Sequence, residues 1–145
     1  MDDELVDYVL SAEEMGALLI AKEVDVAKEE SLPDTIIPTS SGRNFAVSGG
    51  VAESVKIRLK NPEILKATVI NGLSKAGMKQ LAAYGKIQTG ESPITDETPN
   101  LIEVMACEGG CIAGPSVITN PRVAAIQLKK YVGDGAEDLD ELNNK

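Results

Sequence analysis

Short β-branched or apolar runs alternate along this 145-residue chain with segments that carry helix-start chemistry. That alternation restricts the fold more than any single residue does. Residues 6–10 (Val-Asp-Tyr-Val-Leu) read as a strand. Ser11 with Glu14 then makes a Ser-x-x-Glu capping box opening a helix over 12–21, whose Met15, Leu18 and Leu19 share one face. The polar, proline-bearing stretch 29–43 reads as a loop. Residues 44–47 read as a second strand, turned by Ser48-Gly49-Gly50 into a helix over 51–60 that Asn61-Pro62 ends. A buried strand over 65–70, a helix over 74–84 stopped by Gly85, and a solvated loop over 89–100 follow. A last strand at 101–106 leads into a cysteine loop. Asn120 as N-cap and Pro121 at the first helical position begin a terminal helix through 131. Such a pattern predicts βαβ units with right-handed crossovers: an α/β fold with a mainly parallel sheet flanked by helices. Residues 1–132 form the expected lobe, and the acidic 133–145 reads as a fraying tail.

In such sheets ligands gather beyond the carboxyl ends of the strands. The Ser48-Gly49-Gly50 turn and the cysteine loop both follow expected strands, so both should lie at one edge. The two cysteines, Cys107 and Cys111, are the only ones in the chain. They are soft, thiolate-capable ligands four residues apart, with Gly109 and Gly110 between them. A structural zinc or an iron–sulfur cluster normally takes four protein ligands, and with no His in the sequence those would be mostly thiolates. The pair therefore reads as half a metal site or as two ordinary buried thiols. A thioredoxin-like redox pair fits less well, because that chemistry uses a two-residue spacer. Glu53 and Glu103 are the carboxylates nearest this region. The absence of His excludes Ser-His-Asp and Cys-His catalysis within the chain.

A formal net charge of −9, one Phe and no Trp set aside nucleic-acid binding. There is no Gly-x-Gly-x-x-Gly and no P-loop Lys, so nucleotide binding is unsupported. No apolar run approaches 18 residues, so no membrane span is expected. The N-terminus is acidic rather than basic, and two cysteines without an export signal point to a cytoplasmic location.

The stretch Glu103-x-Met105-x-Cys107-x-x-Gly110-Cys111-x-x-Gly114 resembles the last cysteine motif of the iron-only (di-iron) hydrogenases. Phe45-Ala46-Val47-Ser48-Gly49-Gly50-Val51 is similar to that family's Phe-Gly-x-Thr-Gly-Gly-Val segment. Residues 6–14 resemble the strand and helix after its second cysteine motif, and Leu32-Pro33-Asp34 also has a counterpart. The resemblance spans roughly 5–132 in the family's order. It implies a parent in which four cysteines hold a 4Fe-4S cluster joined to a di-iron unit, which reduces protons or oxidises hydrogen. Carried onto this sequence, Cys107 would ligate the cubane and Cys111 would bridge to the di-iron unit. Met105 and Phe45 would line the di-iron pocket. The first two cysteine motifs are not in this sequence. The chain is therefore expected to be the C-terminal portion of the catalytic domain, inactive alone and holding no cluster by itself. Its expected partners are the N-terminal half of that domain and, for the parent, an electron carrier such as ferredoxin. Ala46 replaces a common glycine, and Ala113-Gly114-Pro115 stands where a glycine run is usual, features shared with divergent, sensory members. A hydrogen- or redox-sensing parent, or a small metal-binding module that forms a homo-oligomer, are the alternative readings.

Overall fold

The computed structural model describes residues 6–30 and 38–135. Helix α1 spans Ala12–Ala21, and its start follows from Ser11. The Ser11 Oγ accepts from the Glu14 N–H at 3.3 Å, while the Ser11 N–H donates to the Glu14 carboxylate at 2.8 Å. This reciprocal box satisfies two amides that a helix start leaves orphaned. Nothing in α1 is buried. Its expected apolar face stays open, with Met15 and Leu18 each 44% exposed. Local capping rather than tertiary packing defines this helix.

The strand expected at 6–10 does not form. A strand needs a neighbour to take its N–H and C=O groups, and among the described residues this segment has none; Tyr8 and Val9 are almost fully exposed. Part of the loop expected over 29–43 lies outside the described residues. Its end is ordered as a single-turn helix, α2 (Ser40–Arg43), which Thr39 caps by accepting from the Gly42 N–H at 3.1 Å. The second expected strand, 44–47, is instead a 3₁₀ turn over Asn44–Ala46. Only Val47 is strand-like, in an isolated antiparallel bridge to Gly110. The chain doubles back here so tightly that a side chain on Gly50 would collide with the Asn44 carbonyl. A straight strand cannot make that return.

Helix α3 (Gly50–Arg58) follows. Arg58 fastens it to α2, its Nη1 donating to the hydroxyls of Ser41 and Ser54 at 2.8 and 2.9 Å. After a 3₁₀ turn at Pro62–Ile64, β1 (Ala67–Asn71) leads through α4 (Lys75–Gln88) to β2 (Leu101–Met105). The two strands pair in parallel, from Ala67 opposite Leu101 to Asn71 opposite Met105. This is the expected βαβ unit, and the fold is α/β with a parallel sheet flanked by helices. In-register parallel strands present equivalent residues to the same side. Val69 and Glu103 therefore face α3, whereas Ile70, Ile102 and Val104 face the α4 side. Gly77 of α4 approaches Ile70 so closely that an added Cβ would lie 3.0 Å from its side chain.

Gly85 does not stop α4. One glycine inside a helix costs only about 1 kcal/mol, and the true stop is Gly90, whose φ of +80° suits glycine. The Gly90 N–H donates to the Ile87 carbonyl and the Glu91 N–H to the Lys86 carbonyl, a Schellman closure. The terminal helix, α5 (Pro121–Gly133), starts as expected at Asn120 and Pro121, and ends two residues beyond Tyr131. Arg43 holds it: the guanidinium lies 4.1 Å from the centre of the Tyr131 ring and donates to the Tyr131 carbonyl at 2.8 Å. Most of the expected tail, 136–145, lies outside the described residues. No described helix is long and apolar enough to cross a membrane.

Hydrogen bonds from Ser11 hold the Glu14 carboxyl below its ordinary value. A depressed carboxylate contributes helix stability above its unfolded value and loses it as pH falls through the folded one. Helicity in α1 should therefore drop on acidification, below the normal carboxylate range. Ser11→Ala should weaken the effect without abolishing it, because the backbone N–H bond to Glu14 stays, and should destabilise the helix start by about 1 kcal/mol through loss of the hydroxyl cap. Glu14 chemical shifts followed by NMR across the acid range would check both.

Candidate functional site

The cysteine loop begins where β2 ends. The Gly72 N–H donates to the Met105 carbonyl at 2.9 Å and the Leu73 N–H to the Ala106 carbonyl at 3.3 Å. The strand pair is thereby extended to the threshold of Cys107. The loop then reverses over Gly109 and Gly110, with φ values of +87° and +85°. Two successive positive-φ residues are readily supplied only by glycine. Asn71, at the end of β1, steadies the reversal by accepting from the Gly109 N–H at 2.7 Å. Gly110 is wedged against the neighbouring turn. A Cβ there would lie 2.6 Å from the Ala46 carbonyl oxygen, 2.8 Å from the Ser48 nitrogen and 3.0 Å from the Met105 Cε. A 3₁₀ turn over Cys111–Ala113 follows, and Gly114 passes beneath the first cysteine. A Cβ on Gly114 would lie 3.5 Å from the Cys107 Sγ.

The second wall is the turn Val47-Ser48-Gly49-Gly50. The Gly50 N–H donates to the Val47 carbonyl at 3.0 Å, and Gly49 has φ +93° and ψ −10°. That is a type II turn, which requires positive φ at its third residue. It meets the cysteine loop as expected, though the contact runs through Gly110 and not through a shared strand edge. Met105 lies directly against this junction. Phe45 sits one residue from the Ala46 carbonyl that faces Gly110, and its side chain is 48% exposed. Cys107 is half-buried and Cys111 exposed; both are free thiols.

Glu103 has a different role from the one its position suggests. It is buried on β2, and each carboxylate oxygen accepts an amide at 2.7 Å, one from Gly49 and the other from Ala52. A carboxylate at a helix N-terminus is favoured both by the free N–H groups and by the helix dipole. Glu103 thus spends its acceptors on α3 and fixes the glycine turn above β2. Glu53 is exposed on α3. Two features escape sequence reasoning. One is the Asn71 side chain, for which the Asn71-Gly72 pair suggested only a turn. The other is the Ser48 Oγ, buried with no hydrogen-bond partner among the described residues.

The family described as "Iron only hydrogenase large subunit, C-terminal domain" matches residues 1–115. The chain belongs to this family. The match contains the βαβ unit, the glycine turn and the whole cysteine loop, and ends before α5. It makes the chain part of the large subunit of a hydrogenase, an oxidoreductase. The donor chemistry agrees in kind with the iron–sulfur clusters such a subunit implies: two soft thiolates on a loop without side chains between Glu108 and Cys111. It agrees by half in number. Among the described residues no group of three or more Cys, Asp or Glu could hold a metal ion.

Glu103→Ala would leave two amides, Gly49 of the turn and Ala52 at the start of α3, without their acceptors, at about 1–3 kcal/mol each. Its thermal transition should fall by several degrees, while Glu53→Ala leaves it in place. Gly110→Ala should also be strongly destabilising, because the added methyl group meets backbone on two sides. Calorimetry on the three variants would test the assignment.

Proposed function

We propose that this chain supplies one wall of a hydrogenase cluster site, with Cys107 and Cys111 as two of its four thiolates. The Cys-x-x-x-Cys loop carries this reading: it lies inside the family-matched stretch and joins two thiols through a backbone that only glycine permits. Cys107 would ligate a 4Fe-4S cubane, and Cys111, the more exposed sulfur, would be shared with a di-iron unit. When bound, that assembly supplies the electron and proton chemistry that interconverts protons and hydrogen. The chain's own residues hold and shield. Gly109 and Gly110 set the spacing of the two sulfurs, and Asn71 fixes the loop to the sheet. Met105 and Phe45 place apolar groups where water would otherwise approach. The Ser48 hydroxyl, without a hydrogen-bond partner among the described residues, stands at the same junction, where a donor to a cluster sulfur would be in place.

Two thiolates do not close the coordination of a cubane. The remaining two would come from the N-terminal half of the catalytic domain, and an electron carrier such as ferredoxin would serve the assembled enzyme. Alone, this chain is inactive. Anaerobic treatment with iron and sulfide should leave it without a stoichiometric cluster by iron count and electron paramagnetic resonance, and without hydrogen evolution. Robust hydrogen evolution by the isolated chain would overturn the proposal. In the assembled enzyme, Cys107→Ala and Cys111→Ala should each abolish the cluster signal, whereas Cys→Ala changes that leave it intact would restrict the two thiols to a structural role.

A further inference from the structure

The sheet in this chain is unfinished on one side. Parallel strands are normally buried on both faces and have further strands beside them. Here α3 lies across both strands, but α4 packs on β1. On the α4 side β2 is left without cover: Val104 is 39% exposed, and a cavity of about 410 Å³ opens between Ile102 and Tyr84 and Ile87 of α4. Among the described residues both strands of the two-stranded sheet have a free outer edge, and on β2 that edge adjoins this uncovered face. The Gly72 N–H bonds to the Met105 carbonyl and the Leu101 N–H to the Lys66 carbonyl, so the odd-numbered residues of β2 bond to β1. Backbone groups alternate along a strand, which turns the N–H and C=O of Ile102 and Val104 outward. Among the described residues nothing pairs with them.

The surface of the chain also exceeds what a self-contained domain exposes. It amounts to 11694 Å², against about 7,100 Å² for a folded monomer of this mass. Granting every residue outside 6–30 and 38–135 the area of fully extended chain accounts for roughly half of the difference. An excess on the order of 2,000 Å² remains, more than the roughly 800 Å² that one partner contributes to a stable complex. Among the described residues only Ala52 and Ile70 are buried apolar side chains.

We infer that the outer edge of β2 is a docking site for a strand–helix unit of a second polypeptide of different sequence. Its strand pairs with Ile102 and Val104, and its helix covers their side chains beside α4. The inference rests on the half-site reading above, because β2 runs directly into the cysteine loop and a strand added beside it would end next to Cys107. A second copy of this chain is the poorer occupant: each copy carries a formal net charge of −9, and like charges brought together oppose association.

The test co-produces this chain with the N-terminal part of an iron-only hydrogenase catalytic domain, the part bearing its first two cysteine motifs. Docking is read first without iron, by hydrogen exchange. The Ile102 and Val104 amides should exchange rapidly in the chain alone and at least about tenfold more slowly in the complex. Val104→Pro removes an outward N–H that the β1–β2 ladder does not use, so it should abolish binding yet keep the thermal transition of the isolated chain. Val104→Lys, which charges the edge, should do the same if proline proves too disruptive. Cys107→Ala with Cys111→Ala should leave this protection intact and remove only the cluster formed on adding iron and sulfide. Protection without a cluster would sink the half-site reading and keep the docking edge. A cluster formed equally well by Val104→Pro and Val104→Lys, no protection in the complex, or protection that appears in the chain alone with rising concentration, would overturn the docking edge.

Discussion

The Glu103 carboxylate holds the site together. It joins the middle of β2 to the start of α3 through two short amide bonds. Both bonds are charge-assisted and turned away from water, the setting in which such contacts are strongest. Everything near the cysteines is referred to this link. The glycine turn cannot lift away from the sheet while Glu103 holds Gly49, and Gly110 can wedge against Ala46 and Ser48 only while that turn stays down. With Ala52 and Ile70 the only buried apolar side chains among the described residues, a buried polar bridge stands where larger domains use packed side chains.

Where local chemistry decides the structure, the residues announced it. Ser11 and Glu14 marked α1, and Asn120 with Pro121 marked α5. Each is a cap whose hydrogen bonds close within three residues. The parallel pairing of β1 and β2 was also legible, because a helix between two apolar runs leaves little alternative. Expectations failed where a segment's state depends on distant partners. Residues 6–10 have a strand's composition and, among the described residues, no neighbour to pair with. Residues 44–47 have it too, but the contact of Gly50 with the Asn44 carbonyl coils them into a turn. Gly85 looked like a stop because glycine often is one, yet the closing geometry needed Gly90 two residues past the helix end.

The candidate site divides in the same way. The thiols and the two glycine-rich stretches could be picked out from the residues themselves and Met105 only from the family resemblance, and the structure brings them to one junction. The job of Glu103 could not, since its two amide partners lie more than fifty residues away in sequence. The same holds for Asn71, which reaches across thirty-eight residues to Gly109.

Helix α5 lies past the end of the family-matched stretch, yet it is not peripheral. It rests against the Cys111–Ala113 turn, and Arg43 clamps its Tyr131 immediately before the chain coils into the Asn44–Gly50 return. A force applied at the C-terminus would accordingly travel two routes, one into the turn that carries Cys111 and one through Arg43 into the opposing wall. Neither route crosses the β1–β2 ladder. Mechanically, α5 is a handle on the two walls of the thiol site.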